Sequence, residues 1–120
     1  MTRHLLLSLL LPALLSAQGA RSQPGVVGDY LIRDFRFASG ETMPELRLHY
    51  RTLGQPKRDA SGVVRNAVLI MHGTGGSGTQ FLGANFTELY RTGEALDTTK
   101  YYVILRDGIG HGESSHPSEG

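Results

Sequence analysis

The chain has 120 residues, with 12 Lys and Arg against 11 Asp and Glu, a net charge of +1 and no cysteine. That length allows one domain at most, and charge in near balance along the chain offers no basic stripe for nucleic acid and no acidic tail. Without cysteine there is no disulfide framework, thiolate metal site or cysteine nucleophile, so the fold must hold by packing alone.

Arg3 and His4 precede a leucine-dominated run from Leu5 to Leu15. The run is too short to cross a hydrocarbon core of about 30 Å at about 1.5 Å per residue. Ala17-Gln18-Gly19 and Ala20-Arg21-Ser22 follow it, and both fit a small-x-small cleavage rule. Residues 1–22 are therefore read as a signal peptide cut between Gly19 and Ser22, and the mature protein as exported, periplasmic or secreted. An uncleaved anchor and a buried helix are the other readings of the same run. Residues 23–28 read as a flexible leader, disordered or extended.

Residues 29–120 carry the fold. Phe35 and Phe37 alternate with charged neighbours after Tyr30, as in a half-buried strand, and Ala38-Ser39-Gly40-Glu41 reads as a turn. From Glu45 to Leu53 the period is again two, with Leu46, Leu48, Tyr50 and Thr52 on one face, and Gly54 and Pro56 end the run. Two amphipathic strands joined by a short turn predict an antiparallel ribbon. Gln55 to Asn66 is a polar loop.

Ala67-Val68-Leu69-Ile70-Met71 is an unbroken apolar run, predicting a strand buried on both faces. The loop after it carries Gly73, Gly75, Gly76 and Gly78, which lets the backbone turn sharply and present bare amides. From Thr79 to Tyr90 the apolar spacing predicts helical turns, broken at Gly83 and Asn85. Tyr101 to Leu105 is a second apolar run, followed at once by Arg106-Asp107-Gly108. Two such strands with a partly helical crossover predict a parallel βαβ unit and, after the ribbon, a mixed α/β sheet. The tail from Asp107 to Gly120 is a loop.

Two customers compete for the bare amides. Gly73-x-Gly75-x-x-Gly78 after a strand matches a dinucleotide fingerprint, with Asp107 as a ribose-binding acid. That motif needs a firm helix at its third glycine, and Gly83 and Asn85 fall where the helix should stand. No Gly-Lys-Ser/Thr follows, so it is not a Walker loop. The other customer is a developing oxyanion. Acyl transfer through serine needs N–H donors aimed at the carbonyl oxygen, one of them from a glycine-supported turn after a strand.

The pair of motifs, strand-His72-Gly73-Thr74-Gly75-Gly76 and strand-Asp107-x-x-Gly110-x-Gly112-x-Ser114-x-x-Pro117, resembles the N-terminal half of an α/β-hydrolase-fold enzyme. More narrowly, Leu46 to Gly54, Asn66 to Gly73 and Leu96 to Ile104 are similar to the homoserine O-acetyltransferase-like branch, and the resemblance covers nearly all of the mature chain. It implies an incomplete sheet and a serine-dependent hydrolase or O-acyltransferase, with a small-molecule acyl ester or acyl donor as partner. No cofactor, metal, nucleic acid or, after signal cleavage, membrane is implied. It also implies the Thr74 backbone N–H as one oxyanion donor, with His72 and Gly73 shaping the loop. The loop is richer in glycine than that branch commonly shows, which leaves both water and homoserine open as acyl acceptor.

The Gly-x-Ser-x-Gly elbow that carries the family's nucleophile does not occur here. Gly112-Glu113-Ser114-Ser115-His116 has the wrong last residue and no strand before it, and Gly76-Ser77-Gly78 lies inside the loop. His111 and His116 read as polar groups lining a site mouth, because a triad needs convergence in space and not adjacency on one loop. Residues 29–120 are thus expected to be a truncated N-terminal part that contributes the oxyanion loop, lacks nucleophile and triad partners, and is inactive alone. A non-catalytic exported binding module and the dinucleotide-binding unit are the rival readings.

Overall fold

The computed structural model describes residues 24–119. The signal peptide expected over residues 1–22 lies outside the described residues, as does the first residue of the leader. Strands β1 (Val26–Arg36), β2 (Thr42–Leu53), β3 (Ala67–Met71) and β4 (Tyr102–Arg106) form one sheet in the order β1-β2-β4-β3.

β1 and β2 are the antiparallel ribbon that the period-two pattern predicts, closed by a turn in which the Gly40 N–H donates to the Phe37 carbonyl. β1 begins at Val26, inside the expected leader, because Val26, Val27 and Gly28 pair with Thr52, Arg51 and Tyr50. The end of the leader is therefore extended. The register skips Asp34 opposite Pro44, which has no N–H to give, and Asp34 takes a positive φ of 51° there.

β2 pairs antiparallel with β4, and β3 runs parallel to β4 from Ala67↔Tyr102 to Met71↔Arg106. The crossover is broken as its sequence predicts. A 3-10 turn over Gly78–Leu82, one α-helical turn α1 (Ala84–Thr87) and a second 3-10 turn over Glu88–Tyr90 follow one another. Gly83 stands between the first two with an extended backbone, φ −70° and ψ 161°.

The register decides which face is dry. Val103 faces the same way as its partners Leu53 and Val68, and Leu105 the same way as Ile70, because paired residues share a face. With Phe81 and Leu82 from the crossover, Leu53, Val103 and Leu105 make the core, and Ile70, Phe86, Tyr90 and Leu96 pack against it. The opposite face carries Thr52, Ile104 and Leu69 in one row and Tyr50, Arg106 and Met71 in the next.

Here the expectation for β3 is corrected. It is not buried on both faces, since Leu69 is 55% and Met71 62% exposed. β3 is an edge strand, and among the described residues no element covers that face beside it. β4 is the inner strand, with Val103 at 0% and Leu105 at 1% exposure. An apolar run shows only that a segment suits burial, while its neighbours determine how much water is removed.

β4 is led in by a small polar knot. The enclosed Asp97 carboxylate accepts from the Gly93 N–H at 2.8 Å and from the Thr99 hydroxyl and N–H at 2.6 and 2.9 Å. The Gly93 N–H and the Thr99 hydroxyl stabilise the charged form most, so its pKa falls from 3.8 to about 2 although burial works the other way.

Two measurements check this picture. Leu105→Ala is expected to cost about 2–5 kcal/mol in urea unfolding, whereas Leu69→Ser stays within about 1 kcal/mol. Equal losses would refute the contrast between the enclosed Leu105 and the exposed edge residue Leu69. Because the Asp97 carboxyl is more acidic folded than unfolded, its contribution is complete above about pH 4 and fades as pH falls toward about 2. Asp97→Ala should remove part of the stability at neutral pH and flatten the loss between those two pH values, and an unchanged acid limb would contradict it.

Candidate functional site

β3 and β4 end side by side at Met71 and Arg106, so the loops that follow them meet at the carboxyl ends of parallel strands, where open α/β sheets place ligands. His72 joins the two loops. Its Nδ1 lies 2.8 Å from the Gly73 carbonyl oxygen, and its Nε2 accepts the Gly108 N–H at 2.8 Å. A carbonyl oxygen can only accept, so the geometry has Nδ1 donating to it and Nε2 accepting the amide.

His111 repeats the device from the other side. Its Nδ1 faces the Ile109 carbonyl at 3.1 Å, its Nε2 accepts from the Gly75 N–H at 3.4 Å, and its ring centroid lies 5.1 Å from that of His72. The two imidazoles lock the loops together.

Asp107 is the deeper tie. Its Oδ1 accepts the Gly78 N–H at 2.6 Å and its Oδ2 the Glu113 N–H at 2.9 Å, while its carbonyl accepts the Ser114 hydroxyl at 2.9 Å. The carboxylate needs bare backbone around it. A Cβ on Gly112, whose φ is +55°, would collide with the Asp107 carboxylate, and one on Gly78 would come within 2.9 Å of the Leu105 carbonyl oxygen.

Ser114 and Ser115 prolong the sheet without being a strand. β2 extends beyond the end of β4, and the Ser114 and Ser115 hydroxyls accept the His49 and Arg47 N–H groups at 2.9 Å each. Ser114 is wholly buried. With its oxygen accepting from His49 and donating to Asp107, it is a ladder element.

A cleft of about 230 Å³ opens between the loops, lined by Met71, His72, Gly73 and Thr74 on one side and Arg106, Gly108, Ile109 and His111 on the other. The three residues singled out from the sequence, His72, Gly73 and Thr74, are thus together, with His111 beside them. His116 is elsewhere, in a separate pocket of about 320 Å³ with Phe37, Met43, Ile109 and Pro117. The Thr74 N–H has no hydrogen-bond partner among the described residues.

The dinucleotide reading finds no support in this geometry. Gly78 opens a 3-10 turn of 5 residues, not an α-helix, and Asp107 is occupied by two amides. Among the described residues no cluster of His, Cys, Asp and Glu could hold a metal ion.

Sequence reasoning missed two features. His49 lies between Asp29, 2.7 Å from its Nδ1, and Glu113, 3.8 Å from its Nε2. The signal was available, since Asp29 and His49 are cross-strand partners once the ribbon's register is known. The other is Arg106, whose Nε is buried without a partner. A cation ending an apolar strand was its only sequence signal.

No protein-family model matches the chain. A probable acyltransferase of Methanothermobacter thermautotrophicus is 35% identical over 89 residues, taking in 74% of this chain and 27% of its own length. A homoserine O-acetyltransferase of Natronomonas pharaonis is 35% identical over 98 residues, 71% of this chain and 23% of its own. Among solved structures, an acetylester hydrolase from Corynebacterium glutamicum superposes with a TM-score of 0.63 at 27% identity, over 77% of this chain and 24% of that one. Homoserine O-acetyltransferase from Staphylococcus aureus superposes with a TM-score of 0.62 at 22% identity, over 81% and 29%, a likeness of fold.

The described residues therefore form a four-stranded, unclosed part of an α/β-hydrolase fold. The sequence relatives that the chain resembles are named probable acyltransferase and homoserine O-acetyltransferase, and the chain spans about a quarter of the length of the curated relatives it matches.

If Asp107 ties the loops, Asp107→Ala leaves the Gly78 and Glu113 amides unpaired, at about 1–3 kcal/mol each. Asp107→Asn, which keeps one accepting oxygen, is expected to lose about half as much. Urea midpoints of the two variants equal to that of the parent chain would exclude the tie.

Proposed function

We propose that the chain supplies the oxyanion loop of a serine-dependent hydrolase or O-acyltransferase acting on a small-molecule acyl ester or acyl donor, with the Thr74 N–H as one donor. The observation that carries the reading is the unpartnered Thr74 amide, in a loop braced by His72 and Asp107 at the mouth of a cleft.

When a serine oxygen bonds to the acyl carbon, the carbonyl π pair moves onto oxygen, and an N–H already aimed there stabilises that charge without reorganising. His72 is a brace in this scheme and not the base, since its Nε2 lone pair is held by the Gly108 amide. The relatives named acyltransferase and the structural neighbour named acetylester hydrolase support acyl chemistry with either a hydroxyl compound or water as acceptor.

In this reading the nucleophile comes from outside these residues. Ser114 and Ser115 are buried and their hydroxyls belong to the β2 ladder. The free side of β3 offers unpaired backbone groups on which a further strand can align. We infer that the nucleophile and its triad partners are borne by such additional sequence, and that this chain alone does not turn over esters. The charge, apolar core and small residues of residues 1–22 support export of the protein.

In the protein carrying this chain together with a Gly-x-Ser-x-Gly segment, Thr74→Pro removes the N–H and should lower kcat for 4-nitrophenyl acetate by about 10²–10³-fold. Thr74→Ala keeps the N–H and should stay near the parent value. Equal kcat values for the two variants would sink the oxyanion assignment.

A further inference from the structure

We propose that the cleft beside Thr74 is a carboxylate-binding subsite, in which the Arg106 guanidinium holds the negative charge of a ligand. The inference deepens the acyl-transfer reading and rests on it for the ligand's role, but the charge complementarity stands on Arg106 alone.

Arg106 ends β4 on the face away from the core, between Tyr50 and Met71 in the sheet register. Its Nε is buried and makes no hydrogen bond, and no ion pair joins the side chain to any described residue. A buried donor left unpaired is costly, so a ligand that satisfies it is favoured.

Nothing lining the cleft can neutralise the guanidinium. No carboxylate lines it. The neighbouring acids are engaged elsewhere, Asp107 with the Gly78 and Glu113 amides and Glu113 beside His49. His72 and His111 each use Nε2 as an acceptor for a backbone amide, so neither offers that nitrogen to a ligand. One permanent positive charge, with no second cation on the lining, matches a monoanion, and a planar guanidinium fork matches a carboxylate. A phosphate dianion would keep one charge uncompensated.

Acetate and its neutral isostere acetamide, titrated at constant ionic strength with Arg Nε–H and backbone resonances followed by NMR, test this on the chain as it stands. Acetate should shift the Arg106 Nε–H saturably with a roughly millimolar Kd, and acetamide should not. Arg106→Gln should weaken acetate binding about tenfold or more, and Arg106→Lys, which keeps the charge but loses the fork, by less. An unmoved Arg106 Nε–H, or unchanged affinity in Arg106→Gln with its remaining amide spectrum intact, would overturn the proposal. If acetate moves only the Thr74 amide, the carboxylate subsite falls and the oxyanion reading stands. If Arg106 saturates while Thr74→Pro and Thr74→Ala give equal kcat, the subsite stands and the oxyanion reading falls.

Discussion

The Asp107 carboxylate, shared between the amides of Gly78 and Glu113, is the constraint on which the functional end of the molecule depends. It ties the start of the crossover to the loop after β4. Two backbone segments can approach one small acid this closely only where side chains are missing, which explains Gly78 and Gly112. Both carboxylate oxygens are committed to backbone, so Asp107 organises the site without facing it.

The other contacts at this end follow from that tie. With Asp107 fixed, its N–H donates to the His49 carbonyl and its carbonyl receives the Ser114 hydroxyl, so the following loop lies along β2. Ser114 and Ser115 then provide hydroxyls where a longer β4 would have provided backbone carbonyls. His72 and His111 close the opening from either side, and neither the Thr74 amide nor the Arg106 Nε has a hydrogen-bond partner among the described residues.

The sheet has the same asymmetry on a larger scale. One face is packed by Phe81 and Leu82, while the other exposes Leu69 and Met71 on the edge strand. Such an edge is a template for pairing, which agrees with a chain that spans about a quarter of its curated relatives. The dry face is nevertheless sufficient to fix the register of β3 on β4, because a slip by one residue would bring Leu69 inward and turn Ile70 out.

Local chemistry was legible in the residues. The ribbon followed from Leu46, Leu48, Tyr50 and Thr52 alternating with charge, the breaks in the crossover from Gly83, and the bare loop from its glycines. His72, Gly73 and Thr74 could be grouped for the same reason, since they adjoin one another after one strand. What only the tertiary structure decided is where long-range partners lie. The exposure of Leu69 and Met71 depends on β3 lying at the edge. The ring of His72 is committed by an amide 36 residues away, and Asp107 by one 29 residues away. Arg106 is unpaired because of what stands around it and not because of its neighbours in sequence. Periodicity and turn chemistry act within a few residues, whereas burial, charge compensation and hydrogen-bond satisfaction are set by atoms that only the fold brings together.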